Sequence, residues 1–168
     1  MTRVRPSEDG WYRVRVPVRF RDLDPMGHAH HTLPIIYLEE ARAAFWRELK
    51  GDASMESIDY VMAELTLRFH ARTMYPGTVV AALAVSRVGR SSFTTEFEVR
   101  DEAGVLLSAG SAVQVAYDYA ASSSRALDDA ERAVLESWQR AYQEKIMPMA
   151  ADTTPMTPPS TQPSRTIM

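Results

Sequence analysis

The stretch "VRFRDLDPMGHAHHTLPIIYLEEAR", residues 18–42, changes period twice, and both changes bear on the fold. Leading into it, Val14, Val16, Val18 and Phe20 share one parity while Arg13, Arg15, Arg19 and Arg21 share the other, the alternation of a half-buried strand. Pro17 removes a ladder donor, so this strand needs an edge or a bulge there. Continued onward, the parity carries Asp22 and Asp24 to the apolar side and delivers two carboxylates toward the core. Asp24-Pro25-Met26-Gly27 then has the residue order of a type I turn. From Thr32 to Lys50 the pattern becomes helical. Pro34 suits the first turn, where a missing N–H costs nothing, and Gly51 is a stop signal. Glu39, Glu40, Arg47 and Lys50 cluster in roughly a third of the wheel at ~100° per residue, which leaves a mostly apolar, largely buried helix.

Outward from this unit, four strand patterns follow in series. In "DYVMAELTLRFHAR" Val61, Ala63, Leu65, Leu67 and Phe69 share one parity. "TVVAALAVSRV" is apolar on both, as a central strand should be. "SFTTEFEVR" alternates Phe93, Thr95, Phe97 and Val99 against polar residues, and "GVLLSAGSAVQVAYDY" carries Leu107, Ala109, Val113, Val115 and Tyr117 on one side. The joins "YPG", "VGRSS" and "DEAG" have turn chemistry of hairpin length. A last helix runs from about Leu127 to Ile146, with Asp128 and Glu131 as a capping box and Leu127, Ala130, Val134, Trp138, Ala141 and Tyr142 as its apolar stripe. The expected class is α+β: an antiparallel five-stranded sheet around one long helix, in the order β-α-β-β-β-β, plus a C-terminal helix. That domain occupies residues 1–147. From 148 to 168, "PMAADTTPMTPPSTQPSRTIM" holds five of the ten prolines and reads as a disordered tail.

Composition narrows the function. With a net charge of −3, nothing global favours nucleic acid or an anionic membrane as partner. No apolar run approaches the ~20 residues of a spanning helix, and the start lacks the apolar core of a secretory signal. Cysteine is absent, which removes disulfides, thiol nucleophiles and thiolate metal ligands and fits a cytoplasmic setting. Only Lys50 and Lys145 are lysines, so seventeen of the nineteen basic residues are arginines, suited to bidentate contacts with phosphate or carboxylate.

Three of the four histidines fall within residues 28–31, beside Asp22 and Asp24. Three readings of this cluster stand side by side. Asp24 can simply accept backbone hydrogen bonds in its turn. The carboxylates and imidazoles can hold a metal, although His30 and His31 are adjacent and the helical His-x-x-x-His spacing is missing. Or the cluster can serve acyl transfer: Asp24 attacks or activates water, and open N–H groups near His31 and Thr32, at the helix start, hold a developing oxyanion.

The segment "RFRDLDPMGHAHHTLPIIYLEEAR" also resembles the active-site segment of hotdog-fold acyl-CoA thioesterases of the 4-hydroxybenzoyl-CoA thioesterase type. The matching residues are Asp22, Asp24, Gly27, His28, Tyr37, Glu39, Glu40 and Arg42, and the element order over residues 11–118 is similar to the hotdog layout. It departs in carrying His30 and His31 after the glycine and Pro34 on the helix. The resemblance implies hydrolysis of an acyl-CoA or acyl-carrier-protein thioester without metal or cofactor. Asp24 would be the catalytic carboxylate, in a turn formed by Gly27 and His28, with the backbone N–H near His31 polarising the carbonyl. It implies phosphate contacts from Arg87, Arg90 and Ser91 in the hairpin "SRVGRSSF", and a homodimer or homotetramer with sites at the interface. The competing expectation is a non-catalytic hotdog protein that binds acyl-CoA or acyl carrier protein, which a pocket plugged by the histidines would favour.

Overall fold

The computed structural model describes residues 5–54 and 57–146; the segment from 148 onward read as a tail lies outside them. Strands β1 (Trp11–Val18), β2 (Tyr60–Phe69), β3 (Gly77–Val88), β4 (Ser92–Asp101) and β5 (Leu106–Asp118) form one antiparallel sheet in the spatial order β1-β3-β4-β5-β2. A two-residue strand β6 (Ser123–Ser124) pairs with the end of β5. Helix α1 (Leu33–Lys50) packs on one face of the sheet, and α2 (Asp129–Ile146) lies against β3. This is the expected hotdog architecture.

The elements form for the anticipated reasons. Pro17 lies in β1, an edge of the sheet. Ala81 through Val85 of β3 are buried on both faces, because β1 and β4 flank that strand while helices cover it. Gly51 ends α1 in the left-handed region at φ 68°, where its N–H meets the carbonyls of Arg47 and Glu48. The core between α1 and the sheet is aromatic: Trp46 stacks on Phe93 with centroids 5.3 Å apart, and Tyr60 meets Trp46 edge-on at 5.2 Å. The Asp128–Glu131 capping box is present, each residue's N–H donating to the other's carboxylate at 2.7 and 2.9 Å.

Three parity expectations are corrected. β1 stops at Val18, whose partner Gly77 is the first residue of β3, so the chain has nothing left to pair with and winds into a 3-10 turn over Phe20–Asp22. Phe20, expected inside, is 76% exposed and meets Tyr75 edge-on. In β5 the buried set is Leu107, Ser108, Ala112, Gln114 and Ala116, not the Ala109–Val113–Val115–Tyr117 series. The register on β4 jumps between Ser108 and Leu106, and that bulge reverses the faces. A second bulge, at Ala63 of β2, restricts the expected inward parity to Leu65, Leu67 and Phe69 and turns Tyr60 inward before it. On α2, Glu131 and Leu135 are buried and Ala130 is exposed.

Candidate active site

The loop from Asp22 to His31 closes on itself before α1 begins. Asp24 donates its N–H to the His28 carbonyl at 2.9 Å, the Gly27 N–H returns to the Asp24 carbonyl at 3.0 Å, and Leu23 bridges to Ala29. Gly27 completes the turn at φ 78°, a region that side chains rarely occupy. The Asp24 carboxylate therefore arrives through a turn, not along a strand. Its Oδ1 accepts from the Met26 N–H at 2.8 Å and, more weakly, from the His28 N–H at 3.4 Å. Its Oδ2 accepts no hydrogen bond among the described residues. One carboxylate oxygen of Asp24 thus anchors the loop while the other is left without a donor among the described residues.

The start of α1 uses up most of its own donors. The Leu33 N–H goes to the His30 carbonyl at 2.8 Å, the Ile35 N–H to the Thr32 carbonyl at 3.2 Å, and Pro34 has none. Thr32 reaches His30 Nδ1 at 3.4 Å. The His31 N–H is left without an acceptor among the described residues, at the positive end of the helix dipole. His30 and His31 stack on each other with ring centroids 4.0 Å apart.

A second loop, joining β2 to β3, forms the opposite wall. His70 and Ala71 both donate to the Leu107 carbonyl, at 2.8 and 3.1 Å, and the Ala29 N–H reaches the Thr73 carbonyl at 3.0 Å. His28 and Met74 form a bridge between the two loops. Between them opens a cavity of about 380 Å3 that reaches Asp24 and is floored by Ala29, Pro34, Phe69 and Leu107. All four histidines of the chain line it: His28, His30 and His31 from the first loop and His70 from the second. His70 stands on the polar parity of its strand pattern and reads from sequence as a surface residue; it is exposed, yet it belongs to this rim. Arg72 also lines the cavity, and its Nη1 donates to His28 Nε2 at 3.1 Å, which leaves the His28 proton on Nδ1. Nothing in the sequence pattern pointed to Arg72. Beneath the loop, Tyr37 is almost fully buried with an unpartnered hydroxyl. Burial, and then the Asp22 carboxylate nearby, push that phenol up to about 12.

Arg87, Arg90 and Ser91 lie elsewhere: Arg87 is the penultimate residue of β3, and Arg90 and Ser91 sit in the turn between β3 and β4. Gly77, beside the cavity, and Arg87 are ten residues apart on one strand, roughly 33 Å at about 3.3 Å per residue. Within one chain these groups are therefore at the opposite end of the sheet from Asp24. The turn is held by Arg132, which donates to the Gly89 and Arg90 carbonyls at 3.0 and 3.2 Å. Among the described residues no three of His, Asp and Glu are grouped to hold a metal ion, and no helix is long and apolar enough to cross a membrane.

Comparison with known proteins gives a consistent pattern. The model of the "Thioesterase superfamily" matches residues 26–108, which include Gly27, His28, His31 and Arg72 and begin two residues after Asp24. Among solved structures, a protein named as an acyl-CoA thioesterase from Xanthomonas campestris is 36% identical over 64% of this chain and 92% of its own, with a TM-score of 0.58. A thioesterase from Thermus thermophilus, solved in complex with coenzyme A and zinc, is 29% identical over 73% and 95%, with a TM-score of 0.67. A protein named as a thioesterase from Pseudomonas aeruginosa is 28% identical over 73% and 95%, with a TM-score of 0.66. Among curated proteins no sequence matches.

Proposed function

This chain belongs to the thioesterase superfamily and is a thioester hydrolase, and from that premise we propose that it cleaves acyl-CoA thioesters to the free acid and CoA by the Asp24 chemistry of the 4-hydroxybenzoyl-CoA thioesterase type. The observation that carries the reading is that an Asp24 carboxylate oxygen that accepts nothing and a His31 N–H that donates to nothing, among the described residues, belong to two residues lining one cavity. In the nucleophilic version, Asp24 Oδ2 attacks the thioester carbon and the carbonyl oxygen becomes an oxyanion held by the His31 N–H and the helix dipole. The C–S bond then breaks, CoA leaves as thiolate, and water hydrolyses the acyl–Asp24 anhydride, which restores the carboxylate. In the general-base version Asp24 takes the proton from the attacking water instead. Arg87, Arg90 and Ser91 would hold the CoA phosphates, and a second copy of the chain would carry them to the first copy's cavity. The comparison with an acyl-CoA thioesterase at 36% identity and with a neighbour solved with coenzyme A supports the CoA thioester as substrate. The non-catalytic alternative expected a pocket plugged by histidines; the cavity beside them is open, which favours the enzyme.

Asp24→Asn tests the reading. Asparagine can still accept from Met26 and His28, so the turn should survive with a stability change of about 1 kcal/mol or less. It cannot attack or take a proton, so kcat on an acyl-CoA should fall on the order of a hundredfold or more. EDTA should change neither enzyme. If Asp24 only held the turn, stability would fall and turnover per folded molecule would not. If a metal were required, chelation and His28→Ala would each abolish activity.

A further inference from the structure

The lining of the Asp24 cavity is chemically lopsided. Four histidines and Arg72 face a single carboxylate, Asp24. Arg72 has no carboxylate partner among the described residues, and its one hydrogen bond, to His28 Nε2 at 3.1 Å, leaves most of the five guanidinium donors open. Its backbone is fixed on both sides, by the Ala71 N–H on the Leu107 carbonyl and by the Ala29 N–H on the Thr73 carbonyl. The side chain is thus anchored at its root and steered at its tip. It also divides two cavities: a second space of about 230 Å3 shares Arg72, Thr73 and Leu107 with the first. The acidic groups of that second space, Asp101 and Glu102, are engaged elsewhere, by the Val105 N–H and by Arg15.

A plain alkyl chain entering the first cavity would meet Ala29, Pro34, Phe69 and Leu107 on its floor and would then bring an unsatisfied guanidinium under cover. Arg72 is exposed, and an alkyl end laid against its guanidinium displaces water from open donors without offering them an acceptor in return. A carboxylate at the far end of the acyl chain removes that conflict, because the fork of an arginine matches two carboxylate oxygens.

We infer that Arg72 is the specificity-determining residue of this cavity and receives the distal carboxylate of a dicarboxylic acyl thioester. The inference rests on the thioesterase reading of Asp24 and names its substrate class: short acyl groups with a second, ω-carboxylate, ahead of monocarboxylic chains of equal reach. His28, accepting from Nη1, holds the guanidinium toward the cavity, and His30, His31 and His70 line the same cavity.

The decisive measurement is the ratio of kcat/KM for glutaryl-CoA to that for hexanoyl-CoA. In the native enzyme the ratio should exceed ten; in Arg72→Met it should fall at least tenfold, and Arg72→Lys should recover part of it. An unchanged ratio in Arg72→Met overturns the inference. An oxyanion could also come from the CoA phosphates, so the same pair of acyl groups is tested on pantetheine thioesters. If Arg72→Met lowers both CoA substrates equally and neither pantetheine substrate, Arg72 holds a phosphate and the inference fails. Calorimetric titration with the non-hydrolysable thioether analogues of both CoA esters reads the contact without turnover. Arg72-dependent preference for the glutaryl analogue in a protein that hydrolyses no thioester would sustain the inference and overturn the hydrolase reading. Turnover without that preference would do the reverse.

Discussion

Arg87 at the end of β3 and Arg90 in the β3–β4 turn have no carboxylate partner among the described residues, and Arg132 fixes the Gly89 and Arg90 carbonyls of that turn. Two unpaired cations on a pinned turn are well placed for phosphate, and replacing both with alanine should raise KM for an acyl-CoA several-fold with kcat nearly intact, the mark of lost uniform binding. Steady-state kinetics on a CoA ester and on a pantetheine ester check this, since only the first carries the nucleotide phosphates; equal effects on both would defeat the idea. At this scale the local part of the site was legible. Asp24, Gly27, His28 and His31 lie within eight residues, and turn chemistry plus the helix start already implies their proximity. Arg72 and His70 were not legible, because they meet His28 and His31 only when the β2–β3 loop is bridged to the Asp24 loop more than forty residues away in sequence.

Helix ends and strand joins carry the next level of organisation. The start of α2, the end of α1 and the start of β2 are tied by two cations and two carboxylates. Lys50 Nζ reaches Glu131 at 2.6 Å and Asp59 at 3.1 Å, and Arg125 reaches the same two at 2.6 and 2.5 Å. The Glu131 side chain is 1% exposed. Burial alone would push its carboxyl up; Arg125, Lys50 and the Asp128 N–H outweigh that and hold it at about 2, against an ordinary 4.5. A depressed carboxyl stabilises the fold above its unfolded-state value and loses that contribution as pH falls. The chain should therefore lose on the order of 3 kcal/mol between about pH 4.5 and pH 2 from this group. Urea unfolding at a series of pH values should show the decline, and Glu131→Gln should flatten it while lowering stability at neutral pH by roughly 3 kcal/mol, because two half-buried cations lose their buried anion and keep only Asp59. The Asp128–Glu131 box was visible in sequence, and so were α1 and the strands. Their faces were not: the bulges at Ala63 and Leu107 each insert one residue, and a single insertion reverses inside and outside for everything beyond it.

For the whole molecule, the open question posed by the fold is the β2 edge. Leu65 and Leu67 pack partly against the core, yet Phe69, two positions further along β2, remains 57% exposed. Phe20, Met26, Ile36, Met74 and Tyr75 are further exposed apolar side chains, of which Met26 lines the cavity. An unpaired edge beside apolar surface is a template for association. The expected state is a homodimer or a dimer of dimers. Light scattering at micromolar concentration checks it, and an active monomer would count strongly against the arrangement. The hotdog layout itself was legible because each element announces its own period. The sheet order was not, since periods say nothing of which strand lies beside which.

That order has a kinetic consequence. β3, β4 and β5 are joined by short turns, and Val88 pairs with Phe93 only five positions on. The two edges are the strands that come first along the chain and find their partners last. Trp11 of β1 pairs with Ala84, and Tyr60 of β2 with Ala116, 73 and 56 positions away. Loops of that span close slowly, so the meander of β3–β5 should form before either edge docks. During synthesis the Asp24 turn emerges early and then waits, because its opposite wall, from Phe69 to Thr73 and Leu107, takes shape only when β2 has reached β5. The cavity is the last thing the chain builds. A nascent or partly folded copy can thus carry Asp24 and His31 and still lack the cavity that both of them line.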